Sequence, residues 1–241
     1  MLGAPASDNE GMSSSARDSA VFEVRDALRE EGCPVCRLAL RSVARVMRSI
    51  AYEQVNDLAL RKQLRTSGGF CNAHAHQWLR EVRSVLGTAL IYRDVVTAAL
   101  RELQTGVAQD GQRGGLLRGL LGMVDRASVE AACPACQAQF ESEARYVEAL
   151  VVLVADDSQA LHGTALACRR HTAAAARLGG PGAETILRYT RETMQALVEE
   201  LDEVVRKEDY RFRHEPRTEG ERTAPARAVA WAAGSDGLVE P

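Results

Sequence analysis

The chain has 241 residues, a formal net charge of -3, 46% hydrophobic residues and 26% charged residues. This balance allows a buried core under a well-solvated surface, and it leaves no basic footprint that would make nucleic acid the main partner. The longest apolar run, Ala149 to Ala155, is too short to span a bilayer, and the first twenty residues lack the basic start and apolar run of a secretory signal. The expected setting is therefore the cytoplasm, away from any membrane, where thiols stay reduced.

In chain order, residues 1–17 are small and polar and read as a disordered tail. Residues 18–104 read as a first helical module. Val21, Val24 and Leu28 form one stripe at helical spacing, and Val43, Val46, Met47 and Ile50 form the next. Between them, residues 33–36 read CPVC. Pro34 suits the first position of a helix, where its missing N–H has no intrahelical partner. Residues 68–74 read GGFCNAH, another helix start, with Cys71 and His74 three apart on one face. Two further stripes follow: Trp78, Leu79, Val82 and Leu86, then Tyr92, Val95, Val96, Ala99 and Leu103.

Residues 105–125 hold Gly106, Gly111, Gly114, Gly115, Gly119 and Gly122, a density that breaks helices and marks a linker. Within it, LLRGLL is expected to form a short docked helix. Residues 126–208 read as a second helical module, with CPAC at 133–136 and LACRRH at 166–171. It ends in a long run from Gly182 to Lys207 in which Ile186, Leu187, Met194, Leu197, Leu201 and Val204 are expected to face inward. The tail, 209–241, carries Tyr210, Phe212 and Trp231 as apolar anchors, with Pro225 placed to open a helix through Trp231. It is expected to lie across both modules. Convincing period-two alternation is absent, so the fold class is all-α, two duplicated modules packed as a bundle.

All six cysteines fall into one duplicated scheme. Cys33 and Cys36 are followed after 34 residues by Cys71 and His74; Cys133 and Cys136 are followed after 31 residues by Cys168 and His171. Each four-residue set supplies three sulfurs and one imidazole from helix N-termini, whose partial positive charge favours thiolates. Three thiolates and an imidazole make a closed structural zinc set with no vacancy for a catalytic water, giving two zinc ions per chain. Spacing leaves open which pairs combine. Pairing within each module is the expectation, because duplication implies a self-sufficient copy and the shorter loop costs slightly less closure entropy.

Together the motifs resemble a bacterial family of helical proteins of unknown function, whose pattern is CPxC, GFCxxH, a second CPxC, a second CxxH and a YRF-containing tail. CPVC, GFCNAH, CPAC, CRRH and DYRF carry the resemblance, over roughly Val21 to Gly234. The second CxxH lacks the glycine–aromatic lead, and Ala226 stands where the family's tail has tryptophan before Arg-Ala. The resemblance implies no activity.

His76, His162 and His214 do not fit the ligand scheme. Arg37, Arg41, Arg45 and Arg48 form a basic stripe, read foremost as a solvated face; the second module carries Glu141, Glu143 and Glu148 in the matching region. No phosphate loop, HExxH, GxSxG or dinucleotide fingerprint occurs in the sequence. The leading functional expectation is a zinc-binding interaction or regulatory module with a protein partner, self-association being open. A thiol redox protein or redox-sensing zinc switch using the CPxC pairs is one alternative. An iron–sulfur electron carrier is another.

Overall fold

The computed structural model describes residues 14–109, 133–162 and 166–239, and roughly four-fifths of them are helical. The order is α1 (Ser14–Ala27), α2 (Pro34–Ser49), α3 (Leu58–Thr66), α4 (Asn72–Glu81), α5 (Val85–Gln109), α6 (Pro134–Asp156), α7 (Arg169–Leu178), α8 (Gly180–Glu208) and α9 (Glu219–Ala233). A π-helical turn, Ile50–Gln54, extends α2, and a 3-10 turn, Ser158–Ala160, follows α6. Among the described residues there is no strand, and no helix is long and apolar enough to cross a membrane. The all-α expectation stands.

The centre of the fold is the pair α2 and α6, the CPxC helices of the two repeats, which pack more extensively on each other than any other pair of elements. They run antiparallel, as two buried clusters show. The first gathers Val35 and Leu38 from the start of α2 with Tyr146, Leu150 and Leu153 from the far half of α6. The second gathers Val43, Met47 and Ile50 from the end of α2 and its extension with Ala135 and Cys136 from the start of α6. Around this pair, α1, α7 and α8 pack on α6, and α4 packs on α2. The approach of α8 to α6 depends on Gly182: a Cβ there would lie 2.0 Å from the Val151 carbonyl oxygen, so any side chain would force the helices apart.

Several boundaries and stripes differ from expectation. Helix α1 begins at Ser14, inside the expected tail, and α5 runs to Gln109, past Thr105. LLRGLL lies outside the described residues, as does most of the expected linker. Leu79, Leu86, Val96 and Leu103 are exposed, because α4 packs mainly on α2 and α5 mainly on α3, leaving their outer faces to solvent. In α8, Ile186 and Leu197 are buried but Leu187 is exposed. The inward stripe there is narrower than the hydrophobic pattern.

The tail also differs in detail. Helix α9 starts at Glu219, not Pro225, because Thr218 and Glu221 form a capping box and Pro225 falls inside the helix. Lys207, buried near the end of α8, donates to both carboxylate oxygens of Glu221 at 2.8 Å and to the Pro216 carbonyl at 3.1 Å. This clamp lays α9 along α8. Tyr210 is exposed and anchors nothing, whereas Phe212 lies under the Arg206 guanidinium at 4.8 Å. The basic stripe on α2 is partly structural: Arg37 donates to the Ala27 carbonyl at 2.7 Å, closing the C-terminal end of α1.

Candidate metal centres

Each cysteine that opens a motif is the N-cap of a helix. Cys33 caps α2, Cys71 caps α4, Cys133 caps α6 and Cys168 caps α7. The duplicated positions share backbone geometry: φ and ψ are -77° and 116° at Cys33 against -72° and 118° at Cys133, and -59° and 165° at Cys71 against -65° and 166° at Cys168. The second ligand of each motif then lies one helical turn on, beside its cap. The GGFC lead sets Cys71. Gly69, at φ 109°, turns the chain, and Phe70 stacks on Trp78 at 5.1 Å, fixing the start of α4 in the core.

The eight side chains meet in two buried fours, but the fours cross the repeats. Cys33, Cys36, Cys168 and His171 form one, hereafter centre A; Cys71, His74, Cys133 and Cys136 form the other, centre B. Pairing within each module is therefore overturned. The physical reason is the antiparallel packing of α2 on α6. It carries the N-terminus of each CPxC helix away from its own CxxH and brings it to the CxxH of the other repeat.

In centre A, His171 Nδ1 lies 3.4 Å from Cys33 Sγ, 3.4 Å from Cys36 Sγ and 3.2 Å from Cys168 Sγ, and Cys36 Sγ lies 3.6 Å from Cys168 Sγ. In centre B, His74 Nδ1 lies 3.2 Å from Cys71 Sγ, 3.8 Å from Cys133 Sγ and 3.3 Å from Cys136 Sγ, and Cys136 Sγ lies 3.5 Å from Cys71 Sγ. All six cysteines are free thiols. A tetrahedral ion about 2.3 Å from sulfur and about 2.0 Å from nitrogen requires edges of roughly 3.8 Å and 3.5 Å. The donor sets fit such an ion.

The charge distribution points the same way. Burial and the neighbouring sulfurs push the Cys33 thiol well up, while hydrogen bonds from Cys168 and Cys33 hold Cys36 far down. In centre B, hydrogen bonding with Cys136 and Cys71 holds Cys133 down, and Cys133 and Cys71 push Cys136 up. Burial opposes charge on the imidazoles, yet the thiolates raise His171 and His74 to about 9. Without a cation, each cluster thus holds protons on donors that a divalent ion would displace.

The centres differ in what backs the histidine. In centre A, Glu143 is buried on α6 with a carboxylate oxygen 3.8 Å from His171 Nε2, and it is held by Gln139 at 2.9 Å and by Arg170. Gln139 and Arg170 also bind the backbone of Val239 at 2.8–3.0 Å, tying the end of the chain to this layer. In centre B, the residue one repeat away from Glu143 is Val43, so no carboxylate stands there; Nε2 of both histidines is buried without a direct hydrogen bond, and the difference between the centres is the nearby charge. Sequence reading placed Glu143 on a solvated face. The signal that marks it is the pair Gln139 and Glu143 within an apolar stripe, where the first repeat has Ala39 and Val43. Gly234, at the end of α9, closes over centre A; a Cβ there would sit 3.5 Å from Cys36 Sγ and 3.7 Å from Cys168 Sγ. His76 and His162 are exposed and stand outside both fours, as does His214.

Residues 18–236 match a family of unknown function (DUF6062). The chain belongs to that family. The match spans nearly all of the described helices and all eight donors, in agreement with the resemblance carried by the motifs. An uncharacterised 23.9 kDa protein in the xynA 3' region of Caldicellulosiruptor sp. (strain Rt8B.4) is 38% identical over 68 residues, which is 28% of this chain and 32% of that protein. The aligned stretch thus spans about a third of that relative. No solved structure matches the chain.

Proposed function

We propose that this DUF6062 member is a cytoplasmic, non-enzymatic interaction or regulatory scaffold whose two repeats are held in register by two structural zinc ions. The observation that carries the reading is the reciprocal closure of two buried Cys3His tetrahedra. Zinc suits three thiolates and one imidazole without preference for an open position, and four protein donors leave no place for a reactive water. The compactness of each four favours a single ion over an iron–sulfur cluster, because the donor atoms all lie within 4.8 Å of one another, leaving no room for bridging sulfides between irons. The burial of all six thiols speaks for a structural role over a dithiol redox couple.

Metal analysis of anaerobically purified protein tests this. The expected result is two zinc ions per chain, retained through oxidant-free dialysis. A folded, metal-free protein, or a brown protein rich in iron and sulfide, would overturn it.

A further inference from the structure

We infer that α8 is the self-association surface of this protein, and that two copies pair antiparallel along it. This names the partner that the scaffold reading leaves open, and it rests on a face of α8 that carries none of the eight donors.

Leu187, Met194, Val198 and Val205 recur along α8 at intervals of seven, four and seven residues, forming one stripe on a 3.6-residue helix. Leu187 is 37% exposed, Val198 52% and Val205 73%. A shallow groove runs along the middle of this stripe, lined by α8 side chains alone, among them Leu187, Met194 and Val198. The spacing reads the same from either end about Ala196. Antiparallel pairing of two copies therefore sets Leu187 opposite Val205 and Met194 opposite Val198.

The charges beside the stripe choose the direction. Arg188 and Arg191 lie on one flank of its N-terminal half, and Glu199 and Asp202 lie on the same flank of its C-terminal half. All four are exposed, and none has an ion-pair partner among the described residues. In an antiparallel pair, like flanks meet, so Arg188 and Arg191 of one copy face Asp202 and Glu199 of the other at both ends. Parallel pairing would instead set this flank against the opposite one, where Thr190, Leu197 and Leu201 offer no charge, and leave all four ions unpaired. Complementarity of this kind fixes orientation more than affinity.

The test is the mass of the zinc-loaded full chain by light scattering and sedimentation across a concentration series. The expected result is a concentration-dependent shift from 26.2 kDa to twice that mass. Val198→Glu abolishes the shift. Arg191→Glu alone and Glu199→Arg alone each put like charges together at both ends and weaken dimerisation roughly tenfold. Mixing the two single variants in equal amounts restores opposite charges at both ends and recovers the dimer. A wild type that stays at monomer mass throughout, or single variants whose mixture is no tighter than either alone, would overturn the inference. Zinc content and helicity, read on the same samples, separate that failure from failure of the scaffold itself.

Discussion

Removing ligands by halves distinguishes pairing across the repeats from pairing within them. Cys33→Ser and Cys36→Ser delete the CPxC half of centre A. Combining them with Cys168→Ser and His171→Ala deletes the rest of that centre and leaves centre B whole, so one metal ion per chain is expected. Combining them instead with Cys71→Ser and His74→Ala leaves two donors at each centre, and no tightly held ion is expected. Pairing within the repeats would give the opposite counts. The stability cost follows from the loop each centre closes. The sulfurs of Cys36 and Cys168 are 132 residues apart, a cross-link that in the chain-entropy treatment is worth on the order of 5 kcal/mol. A within-repeat loop of 34 residues would be worth about 1 kcal/mol less. Losing centre A should therefore lower the denaturation midpoint more than the loss of two surface side chains could. Elemental analysis after chelator dialysis, with urea denaturation followed by circular dichroism, reads both quantities. One metal in the second combination and none in the first would refute the crossed arrangement.

Two further outcomes follow from the same geometry. Glu143→Leu keeps all eight donors but removes the carboxylate 3.8 Å behind His171; with no direct hydrogen bond to lose, metal affinity should fall by about tenfold, the low end for outer partners, so competition with a chelator should become biphasic, centre A releasing first. The pH response should depend on metal content. In metal-free protein, the imidazoles of His171 and His74, raised from an ordinary 6.5 to about 9 by the thiolates, hold protons that the unfolded chain loses, but Cys36 and Cys133, held down, have given up as many, so stability should be nearly flat across that window. With metal, proton loss from the donors strengthens binding, so stability should instead rise over the same window. Denaturation curves taken at both ends of that window, with and without chelator, check the sign.

The donors were legible in the sequence because N-cap geometry is local. A proline after the first cysteine, or glycines and an aromatic before it, fix a helix start, and three residues later the second donor must share its face. The pairing was not legible, since it depends on the direction in which α2 crosses α6, and nothing local to either motif sets that. Glu143 was misread for a related reason: hydropathy assigns an acid to solvent unless its partner is known, and His171 lies on another helix. The stripe of α8 reads as inward by periodicity, yet Leu187 is exposed because Gly182 and the Lys207–Glu221 clamp turn other faces of the helix toward α6 and α9. Within the tail, Pro225 was outweighed by the Thr218–Glu221 cap.

The crossed wiring also orders events on the ribosome. Centre B can close once Cys136 has emerged, whereas Cys33 and Cys36, made first, must wait for Cys168 and His171. Early in synthesis the leading dithiol is therefore an unfinished half, open to any soft cation or electrophile in reach, and a premature stop before residue 168 yields a chain that can never seal it.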